Sequence, residues 1–572
     1  KTLTSNKAFW LLLVICVVTI LPFLGLPEYH TKGEPRESIV SYSMLESDNW
    51  ILPRNNGGEI PYKPPFFHWT IAAVSTLNGG QVTEMTSRLP SAIALISMTL
   101  FGFLFFAKRK GTEVALLTAF ITLTNFELHR AGANCRVDMV LTACALYCFY
   151  RWYEKGLKGI PWLAILLMSL GTLTKGPVGT IIPCLVTGVF LLLRGVNFFR
   201  AFLLLSAWAI LSLILPFCWY IAAYQQGGEE FLALVMEENF GRMTNTMSYD
   251  SCVNPWHYNF VTLFAGYVPW TLLALLSLFS LTYHKFSIQP AAWWKRFTAW
   301  IKNMDPVDLF ALTSIVATFI FYCIPQSKRS VYLMPIYPFI AYFLAKYLFY
   351  LVKKRSKVIK VYGSILAVLS LLLFACFIAV KCGLIPETIF QGRHAQNNIN
   401  FLHAIQNING IGSFILIAIP TLLGICWWFY QRKYTLSNRF LYAIVALTMG
   451  MYIALDGAYQ PPILNSKSVK SVAAEIDRVV PASAGTLYEF IEAGVRSIGD
   501  PVHYFEINFY LGNRIGNFYK DRPSEGFLLI GMQDAERNLP EFEKEGYQFE
   551  RIYQSPKPVL RQTAEIYKFI KK

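Results

Sequence analysis

The amino-acid sequence predicts a polytopic α-helical membrane protein with a small mixed α/β domain at its carboxyl end. Of 572 residues, 54% are hydrophobic, 16% aromatic and only 15% charged, which is too apolar for a water-soluble chain. The apolar residues fall into runs long enough to cross about 30 Å of hydrocarbon as helices, and about thirteen runs meet that criterion. From about residue 457 the pattern changes to mixed charged and apolar.

The spans expected are 8–27, 86–107, 112–127, 138–152, 160–174, 177–193, 201–223, 260–283, 306–324, 330–351, 358–380, 411–430 and 438–456. The run from Ala8 to Leu26 has a basic flank and no small-residue cleavage site, so a retained helix is expected there. With the amino terminus on the cytoplasmic side, the inner loops become Lys108 to Lys110, Arg151 to Lys158, Arg194 to Arg200, Lys285 to Lys302, Lys353 to Lys360 and Arg432 to Arg439. Each is basic, in line with the positive-inside rule. The formal net charge of +16 is therefore spread over short loops, and a nucleic-acid partner is not indicated. The eleven cysteines lie mostly within the spans, form no CxxC pair and are absent after Asp456, which excludes a zinc ribbon or a disulfide scaffold.

The two expected domains are 1–456, spanning the membrane, and 457–572, outside it. The first outer segment, 28–85, has a short amphipathic piece from Ile39 to Leu45 and a corner at Trp50 to Pro53, which suits a helix lying along the membrane surface. Glu229 to Gly241 suggests a second such helix. In the tail, Ser466 to Val479 and Ala535 to Glu545 have helical spacing. Gly485 to Phe490, Phe527 to Ile530, Phe549 to Tyr553 and Glu565 to Ile570 alternate or run apolar as strands do.

Outer segments have little topogenic reason to carry cations, yet Arg36, Lys63, Arg242, Lys328 and Arg329 all fall on that side. Snorkelling to the interface accounts for any one of them; five together point to an anionic ligand. Glu34 follows the first span, Asp138 begins the fourth and Lys175 ends the fifth, so ionisable groups gather at the outer helix tips. Asp138 also suits a helix amino terminus, and Lys175 suits an interfacial anchor. A lipid with a phosphate head needs a greasy groove with cations at its mouth, and a carboxylate serves if a hydroxyl is to lose its proton.

The order Gly33-Glu34-Pro35-Arg36, Asp48 to Pro53, Tyr62-Lys63-Pro64-Pro65, Arg88-Leu89-Pro90-Ser91, Arg136-Val137-Asp138, Thr174-Lys175-Gly176-Pro177, Glu238 to Arg242, Gly266 to Trp270 and Ser327 to Tyr332 resembles the aminoarabinose transferases of lipid A. These are C-type glycosyltransferases of the wider dolichyl-phosphate-mannose protein mannosyltransferase-like group. The resemblance implies the C-type glycosyltransferase fold and inverting transfer of a sugar from undecaprenyl phosphate, with the catalytic carboxylate in the first outer loop. The family's Asp-Glu pair stands here as Gly33-Glu34, leaving Glu34 as candidate, with Asp138 in support. Arg36, Lys63, Lys175, Arg242, Lys328, Arg329 and Tyr332 form the implied set for donor phosphate and substrate.

Where the resembled branch offers Glu and His, this sequence has Tyr62 and Asn239, so no metal ligand and no cofactor is expected; a loose divalent-cation site at Glu34, Asp138 or Glu238 is the alternative. The expected partners are a polyprenyl-phosphate sugar donor, membrane lipids, and a lipid A, glycan or protein acceptor. The expected location is the inner membrane of a bacterium, with the tail in the periplasm. A transporter or flippase of a lipid-linked glycan is the rival reading, although it favours midplane charges and inverted repeats.

Overall fold

A computed structural model describes residues 4–61, 63–241, 253–282, 290–435, 437–490 and 503–572. The chain divides into two compact units. One comprises Lys1–Leu26, Arg88–Cys218 and Cys252–Ile463; the other comprises Pro27–Ser87, Trp219–Ser251 and Leu464–Lys572.

The first unit is a helical bundle, and helices occupy every expected span position. Among the described residues eight helices are long and apolar enough to cross a membrane, and a ninth span results if Tyr258–Gly266 and Trp270–Leu278, bent by 104°, count as one. Four expected spans fall short of that standard. Thr112–Thr124, Trp162–Lys175 and Val178–Leu193 have 13, 14 and 16 residues, whereas about 20 are needed to traverse the hydrocarbon at 1.5 Å per residue. Val137–Lys155 has 19 residues but carries charge near both ends. The last span continues past its expected end, to Asn465.

Aromatic rings fill much of this bundle. Phe106 stacks on Tyr342 and Phe105 on Tyr150, each with centroids 4.5 Å apart, and Phe149, Phe310 and Phe339 pack among them. One end of the bundle is closed by ion pairs between Arg109 and Glu154 (2.9 Å), Lys110 and Asp305 (2.6 Å), and Lys346 and Asp308 (2.6 Å). Asp138 lies at the opposite end of the helix that carries Glu154.

The second unit joins the tail to the first long loop. Its sheet has the order β2-β1-β3-β5-β4, with β1 (Leu487–Glu489), β2 (Ile515–Asn517), β3 (Glu525–Gly531), β4 (Tyr547–Val559) and β5 (Gln562–Lys571). Strand β1 runs parallel to β2 and β3, and β5 runs antiparallel to β3 and β4. Alternation along β3 sends Leu529 to a core with Val472 and Ile476 of Lys470–Val479, and Leu528 and Ile530 to a core with Leu539 and Phe542 of Met532–Lys544. Both faces of the sheet are thereby covered. Strand β4 lies on the edge, and its register shifts twice, between Arg551 and Tyr553 and between Gln554 and Pro558.

The expected surface-lying helix is part of Gly33–Ser47, and it is more enclosed than its amphipathic pattern suggests. Glu34, Glu37, Ser38, Ser41 and Ser43 are buried along with Ile39, Val40 and Met44. Glu229 to Gly241 continues the helix that begins at Phe198, after a break at Gly228, whose φ of 56° leaves the helical region. The tail also contains elements not expected from its pattern: β2 and the short helices Phe505–Tyr510 and Phe518–Asp521.

Two glycines let Trp162–Lys175 and Val178–Leu193 touch through their backbones: a Cβ at Gly179 would lie 2.2 Å from the carbonyl carbon of Gly171. The hydroxyls of Thr172 and Thr180 bond beside them at 2.9 Å. Gly179→Ala is expected to force the two helices apart and destabilise the bundle by about 1–3 kcal/mol, seen as a lower melting temperature of detergent-purified protein. An unchanged melting temperature would contradict this contact.

Candidate functional site

Two clusters of ionisable side chains, one in each unit, contain most of the described candidate residues. In the bundle, Val137–Lys155 opens with Asp138 in its first turn, where the positive end of the helix favours a carboxylate. The entry of this helix is fixed by Ser91, whose hydroxyl accepts from the Arg136 amide (3.0 Å) and donates to its carbonyl (3.1 Å). Lys175 ends Trp162–Lys175, and Gly176, at φ 85°, turns the chain into Pro177 and the next helix. The Lys175 ammonium pairs with Asp138 and lies 4.0 Å from the centre of the Tyr332 ring, which packs against Tyr322 at 5.3 Å. Asp138, Lys175 and Tyr332, drawn from three separate motifs, thus meet at one place.

Lys328 is buried, and its ammonium donates to the carbonyls of Pro325 (2.7 Å) and Asn254 (3.3 Å). Asn254 in turn donates to the carbonyl of Lys328 at 3.0 Å. As placed, Lys328 ties its loop to a neighbouring segment. Half-buried Arg329 immediately precedes the 3₁₀ turn Ser330–Ile336. Ser330 donates to Glu127 (3.0 Å), which also pairs with Arg130 (2.8 Å).

In the second unit, Glu34 and Glu37 stand one turn apart on Gly33–Ser47, at 2% and 4% exposure. Glu37 pairs with Lys63, with His68 Nε2 at 3.0 Å and with Arg36 at 3.6 Å. Burial opposes its ionisation, but Lys63, His68 and Arg36 together hold the carboxyl well below the ordinary Glu range. Lys63 and Arg36, expected on a donor phosphate, therefore share a carboxylate partner. Glu34 sits in the first turn of the helix, and its carbonyl accepts from Ser38 at 3.0 Å.

Arg242 and Tyr62 lie outside the described residues. Asn239 donates its side-chain amide to the Val235 carbonyl at 2.8 Å. Among the described residues no group of three His, Cys, Asp or Glu side chains is arranged to hold a metal ion.

The family model described as dolichyl-phosphate-mannose-protein mannosyltransferase matches residues 62–220. An uncharacterized protein of Aquifex aeolicus is 26% identical over 66% of this chain and 72% of its own length. A Shewanella sediminis protein named undecaprenyl phosphate-alpha-4-amino-4-deoxy-L-arabinose arabinosyl transferase is 24% identical over 67% of each chain. The crystal structure of ArnT from Cupriavidus metallidurans bound to undecaprenyl phosphate superposes with a TM-score of 0.69 at 17% identity, covering 98% of this chain and 97% of that one. The fold is that of the aminoarabinose transferases. The chain thus has the C-type glycosyltransferase fold that its motif order implies.

Several polar groups in this aminoarabinose transferase-like fold escaped the sequence reading. Glu37 lies in the same motif as Glu34, and the helix shows both to be buried, with Lys63, His68 and Arg36 gathered around Glu37. His129 bonds Asp456 at 2.6 Å, and its ring centre lies 4.0 Å from that of Tyr452. Asp456 lies in a π-helical turn, Leu455–Tyr459, which interrupts the last span. His503 pairs with Glu489, which is fully buried, and with Glu59 at 3.1 Å. Their sequence separation gives no local signal of that contact.

Burial disfavours the charged His503 ring, but Glu489 and Glu59 outweigh burial and push its pKa up to about 10. Because the folded value lies above the ordinary 6.5, the stabilisation is full below about pH 6.5 and is lost as pH rises through about 10. The melting temperature of the intact protein is expected to fall more between pH 7 and pH 10.5 than that of His503→Gln. Parallel curves for the two proteins would contradict the ion pair.

Proposed function

We propose that this protein is a polyprenyl-phosphate-dependent glycosyltransferase that acts at the outer face of a bacterial inner membrane. The observation that carries this reading is the meeting of Asp138, Lys175 and Tyr332 at one end of a bundle with the aminoarabinose transferase fold. The basic loops at the other end of the bundle support a cytoplasmic amino terminus and a periplasmic tail. Charge at the helix ends suits chemistry on an interfacial headgroup better than passage of a glycan through the midplane, which disfavours a flippase.

The reaction is an inverting displacement at the anomeric carbon. A bond forms from an acceptor oxygen to that carbon as its bond to the phosphate oxygen breaks, and polyprenyl phosphate departs. Lys175, with Arg242 and Lys328, neutralises the phosphate as it leaves. Glu34 takes the proton when the acceptor is a hydroxyl; a phosphate acceptor needs no base, and Glu34 then orients the sugar or the acceptor. Asp138 holds Lys175 in place, and Glu37 does the same for Lys63. A lipid A phosphate, a lipid A or glycan hydroxyl and a protein Ser or Thr all fit as acceptors.

Purified protein given an undecaprenyl-phosphate sugar and an envelope acceptor is expected to release free undecaprenyl phosphate in step with product, whereas a flippase would move the donor intact. Glu34→Gln is expected to lower transfer by at least ~100-fold if it is the base. Lys175→Ala, Arg242→Ala and Lys328→Ala should impair donor use more than acceptor use. Normal turnover of the Glu34 variant, or an unchanged donor KM and kcat in all three cation variants, would overturn those roles.

A single phosphate leaving group can be neutralised by Lys and Arg alone, so transfer is expected to persist after exhaustive EDTA treatment. Loss of activity restored by one added divalent ion, with metal found in the purified protein, would show the opposite.

A further inference from the structure

The tail domain contributes a six-residue helix, Phe505–Tyr510, that packs on Gly33–Ser47, the helix carrying Glu34 and Glu37. Three successive residues of this short helix reach the first long loop. The Tyr510 hydroxyl accepts from the Tyr29 amide at 3.0 Å and donates to Glu84 at 2.8 Å. Phe509 meets the Tyr29 ring edge-on, with centroids 4.9 Å apart. The Tyr29 hydroxyl lies 2.7 Å from Ser38 Oγ, which donates to the carbonyl of Glu34. A chain of contacts therefore runs from the tail to the backbone of the candidate base.

Asn508 forms the second arm. Fully buried, it donates to Asn56 Oδ1 at 2.6 Å and accepts from the Ile515 amide at 3.0 Å, while Asn513 Oδ1 accepts from the Asn56 amide at 3.1 Å. Asn56 and Gly57 have φ of 46° and 73°, so this turn uses the left-handed region and depends on its side-chain bonds for its shape. A Cβ on Gly57 would lie 2.6 Å from the Asn517 amide nitrogen, so the loop backbone rests directly on the end of β2. Glu59, two residues on, is the exposed partner of His503. Lys63, four residues beyond Glu59, is the residue that compensates Glu37.

Both arms end at groups the transferase reading uses, and a domain present only for solubility would not need to seal buried asparagines against a distant loop. We propose, resting on that reading, that the tail domain is a positioning device for the first loop, with Asn508 setting the approach of Lys63 to Glu37. Asn508 touches neither donor nor acceptor; it acts through the turn 55–59.

The test uses the full-length protein and two readouts. Hydrogen exchange needs no substrate: in Asn508→Ala the amides of 54–61 should exchange at least tenfold faster, while those of β3 stay protected. Equal exchange in 54–61 would overturn the proposal. In the transfer assay, Asn508→Ala should lower kcat about tenfold in the natural background, and less than twofold in the Lys63→Met background, because both changes act through one contact. Equal losses in the two backgrounds, or normal kcat in Asn508→Ala, would also overturn it. If Asn508→Ala does not fold, Asn56→Gly, which suits the left-handed backbone and removes the oxygen that Asn508 bonds, is read in the same way. A natural protein that transfers no sugar would sink the transferase reading instead, and exchange would still decide the tail's role.

Discussion

A charge buried away from water must be compensated within a few ångströms, and that constraint organises both clusters. Asp138 and Lys175 compensate each other in the bundle, and Glu37 is compensated by Lys63, His68 and Arg36 in the second unit. Each pair presents a cation with limited freedom. The pairing confines the ammonium to few rotamers, so much of the cost of ordering it is met during folding.

The same constraint explains how local backbone features serve the clusters. Gly176 turns the chain directly after Lys175, and the contact between Gly171 and Gly179 holds the two helices beside it. Ser91 grips both sides of the Arg136 peptide and so fixes where Asp138 begins its helix. These are backbone devices, and they position side chains more tightly than a mobile loop could.

Much of this was legible in the sequence because long apolar runs and outer charges follow from the energetics of the bilayer alone. Asp138, Lys175 and Tyr332 could be nominated from their motifs, and all three meet. The tail's longer strands and its two main helices were legible from periodicity. The short pieces were not: β2 and Phe505–Tyr510 have 3 and 6 residues, too few to display a period. Glu37 was hidden for a different reason. One of its partners, His68, belongs to a different helix, and a buried carboxylate with three basic neighbours looks in sequence like any surface acid.

Among the described residues the sheet of the tail has two edges, and each is blunted. Strand β2 is too short to template a partner, and β4 carries Pro556 and Pro558 at the second of its two register shifts. An extended polypeptide therefore meets only a short or broken ladder at either edge, which discourages copies of the domain from zipping edge to edge.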